Sequence, residues 1–390
     1  MSSNGIDSIL TRGVAQVLPS AKTLTELMQK RKIRLYLGID PTGAFLTLGH
    51  AVVLKKLQQF ADAGHDVILL IGNGTVRIGD PTGRDSTRPV LTDEEIRKNF
   101  QDWKSQAEKI LDFSKITIKY NGDWLEKLNY IDMVKLLGNV TIQQLLERDM
   151  FQERIKKGQP IFGHEIIYPL LQGYDSVAME VDLELGGTDQ TFNMLMGRTL
   201  LKNYKKREKW ILSVPIINGT DGRKMSKSYG NFIALTDEAN EIFGKIMSTK
   251  DEEMMMYFEI FTEIDLEEAK NLILENPRNA KVKLAKAIVS WLHNEKSADE
   301  AERDFVQKFV KKEVPDQMPD FLVEEDEIGI LTLISKICKF ANSNSEARQL
   351  IAGNAVSIDG ENITDPKYIV KISGEMVLKV GKRKFGRIKK

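Results

Sequence analysis

The 390-residue chain is predicted to begin with an α/β domain on a mainly parallel sheet, continue as a helical segment and end in a small basic α+β module. Three observations predict this. Short apolar β-type runs alternate with helical patterns as far as about residue 232. From Thr236 to about residue 312 the periodicity is helical throughout. The last sixty residues carry twelve Lys/Arg against five Asp/Glu, a net of +7 in a chain whose formal total is zero.

The elements follow in order. Ile33 to Ile39 reads as a strand, and Gly49 to Ala63 carries Val53, Leu57 and Phe60 at helical spacing. Asp66 to Ile71 is continuously apolar after its first residue, the mark of a strand buried on both faces. Thr92-Asp93-Glu94-Glu95 is a capping box that opens a helix. Lys115 to Tyr120, Val181 to Leu185 and Trp210 to Val214 read as further strands. In open sheets of this kind ligands bind at the carboxyl ends of the strands. The loops at 38–50, 72–88, 185–190 and 218–231 are therefore expected to converge. Further on, Asp265 with Glu268 starts a helix, and Val282, Leu284, Ala287 and Ile288 share one helical face. Pro315 and Pro319 punctuate a linker. In the basic module, Ser343 to Glu346 is a second capping box, Gly353 a C-cap, and Val356 to Gly360 turns into a strand pair.

Composition removes several classes. Hydrophobic residues are 42% and charged residues 29%, which excludes a largely disordered chain and a collagen. Cys338 is the single cysteine, so no intrachain disulfide or multi-cysteine zinc site exists. His50, His65, His164 and His293 are the only histidines and show no metal-binding spacing. His65, His164 and His293 read as structural, and Met254 to Met256 with Tyr257 and Phe258 as helical core. The first twenty residues lack a basic segment ahead of an apolar core, and no run is long enough to span a bilayer. A cytoplasmic protein with a reduced thiol is expected. No G-x-G-x-x-G or P-loop sequence is present.

Two other motifs stand in their place. Thr47-Leu48-Gly49-His50 begins a helix after a strand. Free backbone N–H groups and the helix dipole there favour a phosphate. Gly49 allows close approach to the backbone, and His50 can donate to a phosphate oxygen. Lys224-Met225-Ser226-Lys227-Ser228 sets two lysines three apart in a polar loop, able to close over a polyphosphate as pyrophosphate leaves. Each alone reads as a structural helix start or a solvated basic loop. Paired in this order around α/β strands, they point to nucleotide chemistry.

A third pattern concerns the second substrate. Tyr168, Gln172 and Asp175 lie at i, i+4 and i+7, a polar stripe among Ile166, Ile167, Leu170 and Leu171. The stripe assumes that Pro169 falls near the first turn of its helix. It reads either as a pocket for a zwitterion bearing a phenol or as a satisfied polar core network. Gly186-Gly187 permits backbone contact with a nucleoside, Asp189 can accept from ribose hydroxyls, and Gln190 can donate to a carboxylate or α-phosphate. An ordinary turn is the other reading of that loop.

The paired motifs resemble the HIGH and KMSKS signatures of class I aminoacyl-tRNA synthetases. Tyr36 to Thr42, Ile78 to Gly83, Tyr168 to Asp175 and Gly186 to Gln190 resemble segments of bacterial tyrosyl-tRNA synthetases. The tail resembles the αL RNA-binding motif of a ribosomal small-subunit protein. The resemblance covers essentially the whole chain. It implies a Rossmann-like catalytic domain over 1–232, a helical anticodon-binding domain over 233–318 and an αL-type RNA-binding domain over 329–390. It implies that L-tyrosine is activated with ATP and transferred to the 3′ end of its cognate tRNA. Magnesium would accompany ATP with no dedicated protein metal site. The enzyme would be a cytoplasmic homodimer without a membrane segment, with its interface around 122–163.

Residue by residue, the resemblance puts Tyr36 and Asp175 on the substrate hydroxyl. It puts Tyr168, Gln172 and Asp80 on the ammonium, with Asp40 and Thr75 nearby. Gly38, Gly49, Gly187, Asp189 and Met225 would contact ATP. His50, Lys224 and Lys227 would stabilise the reacting phosphates, with Thr42, Thr47 and Gln190 beside them. Arg84 and Arg88 would lie where tRNA or pyrophosphate approaches, or on a solvated loop. Two positions depart from the family pattern. Thr47 stands where histidine is usual, and Glu184 stands where some members have glutamine. Three readings compete: a tryptophan-activating relative, a catalytically idle RNA-binding paralogue, and a nucleotidyltransferase for another small acid. Tyr36 with Asp175 favours a phenol over an indole, and the tail is superfluous to the third.

Overall fold

Five parallel strands and one antiparallel edge form the first sheet: β1 (Gln16–Leu18), β2 (Arg34–Ile39), β3 (Asp66–Ile71), β4 (Ile116–Tyr120), β5 (Leu183–Gly187) and β6 (Trp210–Val214). The computed structural model describes residues 3–42, 45–81, 91–307, 318–372, 374–381 and 384–390. Thr82, Gly83, Arg84, Arg88, Pro315, Lys382 and Arg383 lie outside the described residues. The chain divides into two compact units, Met1–Asp299 and Glu300–Lys390.

The strand order is β1-β6-β5-β2-β3-β4. Successive strands thus run outward from β2 through β3 to β4, and the chain then returns to the other side for β5 and β6. The order reverses between β2 and β5, and a crevice opens beyond the carboxyl ends of strands at such a point. Leu35 to Leu37 of β2 and Val67 to Ile71 of β3 are buried. That double-sided burial explains their near-continuous apolar sequence. Gly186 and Gly187 are paired with Ser213 and Val214 of β6, so this Gly-Gly is the end of a strand and not a turn. The expected strand at 181–185 therefore shifts two residues along the chain. Strand β1 pairs antiparallel with β6 and was invisible in the sequence, since three residues carry no readable alternation.

Helix Leu48–Asp62 follows β2 with Thr47 as its N-cap. Helix Asp93–Ala107 starts on the Thr92–Glu95 capping box. Helices Gly163–Met179 and Thr191–Lys205 cross closely at two glycines. A Cβ on Gly173 would stand 3.0 Å from the Gly197 nitrogen. Pro169 lies inside the first of these helices, in its second turn and not its first. An interior proline costs about 3 kcal/mol. Burial of Leu170, Leu171 and Val177 against Leu200 and Leu201 offsets it, and the polar stripe survives.

Helices Ala239–Ser248, Met254–Phe261, Leu266–Glu275 and Pro277–Leu292 belong to the first unit, so no structural break falls at residue 233. The reason is in the contacts. The Arg12 guanidinium donates to the carbonyls of Phe258, Glu259, Thr262 and Ile264, and the Tyr257 hydroxyl donates to the Asn218 carbonyl. Helix Pro277–Leu292 buries Ala280, Leu284, Ala285, Ile288, Val289 and Leu292; Val282 and Ala287 stand at the edge of that face, half-buried. Met254, Tyr257 and Phe258 are core.

The second unit holds a five-stranded sheet in the order β10-β9-β12-β13-β7 and a separate β11–β8 pair. The strands are β7 (Asp320–Leu322), β8 (Glu327–Gly329), β9 (Val356–Ile358), β10 (Glu361–Asn362), β11 (Ile369–Lys371), β12 (Met376–Val380) and β13 (Lys384–Lys389). The β9–β10 hairpin turns through Asp359 and Gly360, both at positive φ, as a tight hairpin requires. Strand β7 precedes residue 329 yet pairs parallel with β13, so this sheet begins earlier than the tail's composition indicates. Ser343 caps helix Asn344–Ala352 by accepting from the Glu346 N–H. The return arm differs from a capping box, because Glu346 accepts from the Asn342 N–H. Cys338 is buried in this core, where desolvation pushes its thiol up to about 12. Lys336, Lys339, Arg348, Lys367, Lys371, Lys384 and Lys390 are exposed on this unit. Among the described residues no helix is long and apolar enough to cross a membrane.

Candidate active site

A cavity of about 320 Å³ opens at the reversal of strand order. The ends of β2 and β5 line it, joined by the loop after β3 and by helix Gly163–Met179. Of the loops expected to converge, 38–50, 72–80 and 185–190 supply its walls. The 218–231 loop reaches the same rim through Lys224, whose Nζ lies 3.4 Å from Asp189. Lys227 donates to the Phe45 carbonyl at 2.8 Å.

One end of the cavity is rich in acceptors. The Tyr168 hydroxyl donates to Asp40 Oδ2 at 2.9 Å, and the Thr75 hydroxyl donates to Asp40 Oδ1 at 2.7 Å. Gln190 Nε2 donates to Asp80 at 2.8 Å. Gln172 Nε2 donates to Glu184 at 3.1 Å. Asp175 accepts from Trp124 Nε1 and Asn121 Nδ2. Burial, reinforced by neighbouring carboxylates, raises Asp175 well above the ordinary carboxylate range and Tyr168 well above that of a phenol. Asp40, Asp80, Asp175 and Asp189 are each engaged by protein donors.

The other end is a donor face. Thr47 N–H donates to His50 Nδ1 at 3.1 Å, and the Thr47 hydroxyl lies 2.9 Å from the same nitrogen. An Nδ1 that accepts carries no proton, so the neutral ring bears its proton on Nε2. Burial, with Lys227 nearby, lowers His50 to about 4, which keeps the ring neutral at physiological pH. Met225 Sδ lies 3.8 Å from where a Cβ on Gly49 would stand, so a side chain there would fill the space beside the helix start. Lys227 sits 4.0 Å from the centre of the Phe45 ring, and partial burial lowers its amine.

Two expected contacts are placed differently. Tyr36 is fully buried, and its hydroxyl meets Ser176 Oγ at 3.1 Å behind the cavity wall. Its position on a central strand directs the ring into the packed layer beneath helix Gly163–Met179. Thr47 is 5% exposed and turns to His50, because an N-cap side chain folds back on its own helix. Thr42, Gly38, Gly187 and Asp189 line the cavity. The sequence does not single out Asn121, Trp124, Lys209 or Asn231. Asn231 accepts from the Ser226 N–H and donates to Asp221 and to the Arg223 and Lys224 carbonyls, tying the base of the lysine loop. The Gly230-Asn231 step that ends the lysine loop is the one local signal that could have found it.

Fold and comparison together define a class I tRNA synthetase. Residues 28–310 match the family described as tRNA synthetases class I (W and Y), and residues 310–388 match the tyrosine–tRNA ligase SYY-like C-terminal domain. The chain is 45% identical to a tyrosine–tRNA ligase of Thermotoga maritima, over 97% of this chain and 96% of that one. It is 45% identical to tyrosine–tRNA ligase 2 of Vibrio cholerae, over 97% of each. The fold is shared with the tyrosyl-tRNA synthetase of Archaeoglobus fulgidus crystallised with L-tyrosine, at TM-score 0.62 and 22% identity, covering 77% of this chain and 99% of that one. The chain belongs to the tyrosyl-tRNA synthetases, and its activity is tyrosine–tRNA ligation. The tryptophan-activating and other-acid readings are thereby set aside.

Proposed function

We propose that the cavity aligns tyrosine and ATP end to end, so that the tyrosine carboxylate attacks the α-phosphate in line. The products are tyrosyl-adenylate and pyrophosphate. The 3′-terminal adenosine of tRNA then takes the tyrosyl group, with no covalent enzyme intermediate. One observation carries this reading: a single cavity has an acceptor end at Asp40, Tyr168, Gln172 and Asp80, and a donor end at His50. An ammonium fits the first and phosphates fit the second. Asp175 faces the phenol at the acceptor end, and the Tyr36 hydroxyl joins it by turning from Ser176. Gly38, Thr42, Gly49, Gly187, Asp189 and Met225 cradle the nucleotide. Gln190 turns between Asp80 and the reacting carboxylate. His50 Nε2–H, Lys224 and Lys227 stabilise charge on the pentacoordinate phosphate and departing pyrophosphate. Thr47 acts through His50 by holding its tautomer. Magnesium would accompany ATP, held by its phosphates, and would neutralise part of their charge.

ATP–pyrophosphate exchange measured with each of the twenty amino acids tests the reading. Exchange is expected with tyrosine alone and is expected to fall by about 10²-fold or more in Lys227→Ala. Folded protein that exchanges with no amino acid would favour the idle RNA-binding paralogue.

The helical segment and the basic tail bind tRNA in this reading, the tail through phosphates and structured RNA. Support comes from the exposed Lys336, Lys339, Arg348, Lys367 and Lys371. Removing residues 320–390 is expected to weaken tRNA binding and flatten its salt dependence. Unchanged affinity with an unchanged salt slope would sink the assignment. The enzyme is also read as a cytoplasmic homodimer. Tyr130 (80% exposed), Ile131, Val134, Leu137 and Ile142 form an apolar surface within 122–163, larger side chains than a solvated face normally shows. Val134→Asp is expected to shift sedimentation at micromolar concentration from dimer to monomer. A wild-type monomer under those conditions contradicts the reading.

A further inference from the structure

Lys209 immediately precedes β6 and has no exposed surface; Glu184 on β5 is 1% exposed. Isolated charges are not tolerated at such depth, so what surrounds them has a purpose to be found. The Lys209 ammonium has three donors, and all are used. One goes to Ser176 Oγ at 2.8 Å on helix Gly163–Met179. One goes to the Met194 carbonyl at 3.1 Å on helix Thr191–Lys205. The third goes to Glu184 Oε2. Gly197 provides the room, since a Cβ there would overlap the Lys209 amine and lie 2.7 Å from Ser176 Oγ.

The pair reaches the cavity through its other oxygen. Glu184 Oε1 accepts from Gln172 Nε2 at 3.1 Å, and both residues line the cavity. A carboxylate can only accept, so Gln172 must present its NH₂ group to it. The amide oxygen of Gln172 is then what this cavity-lining side chain has left to offer a cation, as an acceptor. Without Lys209 the buried Glu184 loses the cation that fixes Oε2, and nothing then holds Oε1 against the Gln172 amide, which can turn over. Lys209 also holds Ser176, the partner of the Tyr36 hydroxyl.

We propose that Lys209 is a positioning residue of the amino-acid site: by holding Glu184 as an acceptor-only carboxylate, it locks the Gln172 amide with its oxygen toward the substrate ammonium. This rests on the assignment of the ammonium to the Gln172 end of the cavity. The ion pair itself touches no substrate and is not catalytic.

The test is tyrosine-dependent ATP–pyrophosphate exchange on the full chain, with KM for tyrosine and for ATP measured separately. Lys209→Met is expected to raise the tyrosine KM about tenfold or more, the scale of one charge-assisted hydrogen bond. Its ATP KM is expected to stay within about twofold, because uniform binding is lost only at the amino-acid end. Glu184→Gln with Lys209 in place is expected to raise the tyrosine KM by a similar factor, because the glutamine turns its oxygen to the Lys209 ammonium and its NH₂ to Gln172, whose amide then turns over. A folded Lys209→Met enzyme with an unchanged tyrosine KM overturns the proposal. So does a folded Glu184→Gln enzyme with an unchanged tyrosine KM. If Lys209→Met does not fold, Glu184→Gln decides alone by the same tenfold criterion. If neither folds, Lys209 is a structural residue only and the proposal falls. Gln172→Ala separates this proposal from the reading beneath it. A tyrosine KM unmoved by Gln172→Ala removes the ammonium assignment. A KM raised by Gln172→Ala but not by Lys209→Met removes only the role of Lys209.

Discussion

His50→Ala is expected to slow tyrosine-dependent pyrophosphate exchange by about 10²–10³-fold, with the tyrosine KM nearly unchanged. The argument runs from the tautomer. Thr47 N–H occupies His50 Nδ1, so the only proton the ring can offer is on Nε2. The ring sits beside the cavity at the start of helix Leu48–Asp62, where negative charge is favoured. A preorganised donor of this kind counts most when charge develops on the phosphate. His50→Asn retains the same polarity, an oxygen that accepts from Thr47 and an NH₂ that donates outward. It is expected to recover about tenfold or more of the alanine loss. A His50→Ala enzyme with wild-type exchange would remove the ring from the reaction.

The same residue has a pH signature. The folded chain binds the His50 proton more weakly, at about 4 against the usual 6.5, so the unfolded chain takes up a proton first as pH falls. The stability tied to the neutral ring is complete above about 6.5 and is lost as pH falls from there through 4. The window amounts to about 3 kcal/mol at most. Denaturant titrations of wild type and His50→Asn between pH 4 and 7 read it directly. A difference between the two that does not change with pH would contradict the assignment.

Much of this was legible in the residues, and the reasons are physical. Strands β2, β3 and β6 announce themselves because burial on both faces demands continuous apolar sequence. Caps at Thr92 and Asp265 are local side-chain chemistry and are read from a few adjacent letters. The stripe of Tyr168, Gln172 and Asp175 follows from helical geometry alone, even though Pro169 sits deeper in the helix than local rules favour. What escaped was non-local. Lys209 reads as one lysine in a charged stretch until the fold brings Ser176, Glu184 and Met194 around it. Asn121 and Trp124 reach Asp175 across about fifty residues of chain, and no periodicity links them. The direction of Tyr36 depends on which face of β2 meets helix Gly163–Met179, which neither strand nor helix specifies by itself.

Gly72→Ala is expected to cost about 2–5 kcal/mol of stability and, in whatever folds, to raise the tyrosine KM by about tenfold or more. Gly72 follows β3 directly, and nothing in its neighbouring letters marks it as special. In the structure a Cβ there would overlap Asp40 Oδ1 and lie 2.5 Å from Thr75 Oγ1 and 3.2 Å from Asp40 Cγ. Those atoms are not free to give way. Asp40 accepts from both Thr75 and Tyr168, and Thr75 also accepts from Asn121, which in turn donates to Asp175. Displacing Asp40 therefore opens the network at its centre and leaves partly buried donors unpaired, which costs more than the missing bond itself. The phosphate end has no member in this network, so the ATP KM is expected to change far less than that of tyrosine. A thermal melt combined with the two KM values checks the prediction. A Gly72→Ala enzyme with wild-type melting and an unmoved tyrosine KM would show that Asp40 can shift without consequence, and the Asp40–Thr75–Tyr168 network would then hold no part of the tyrosine site.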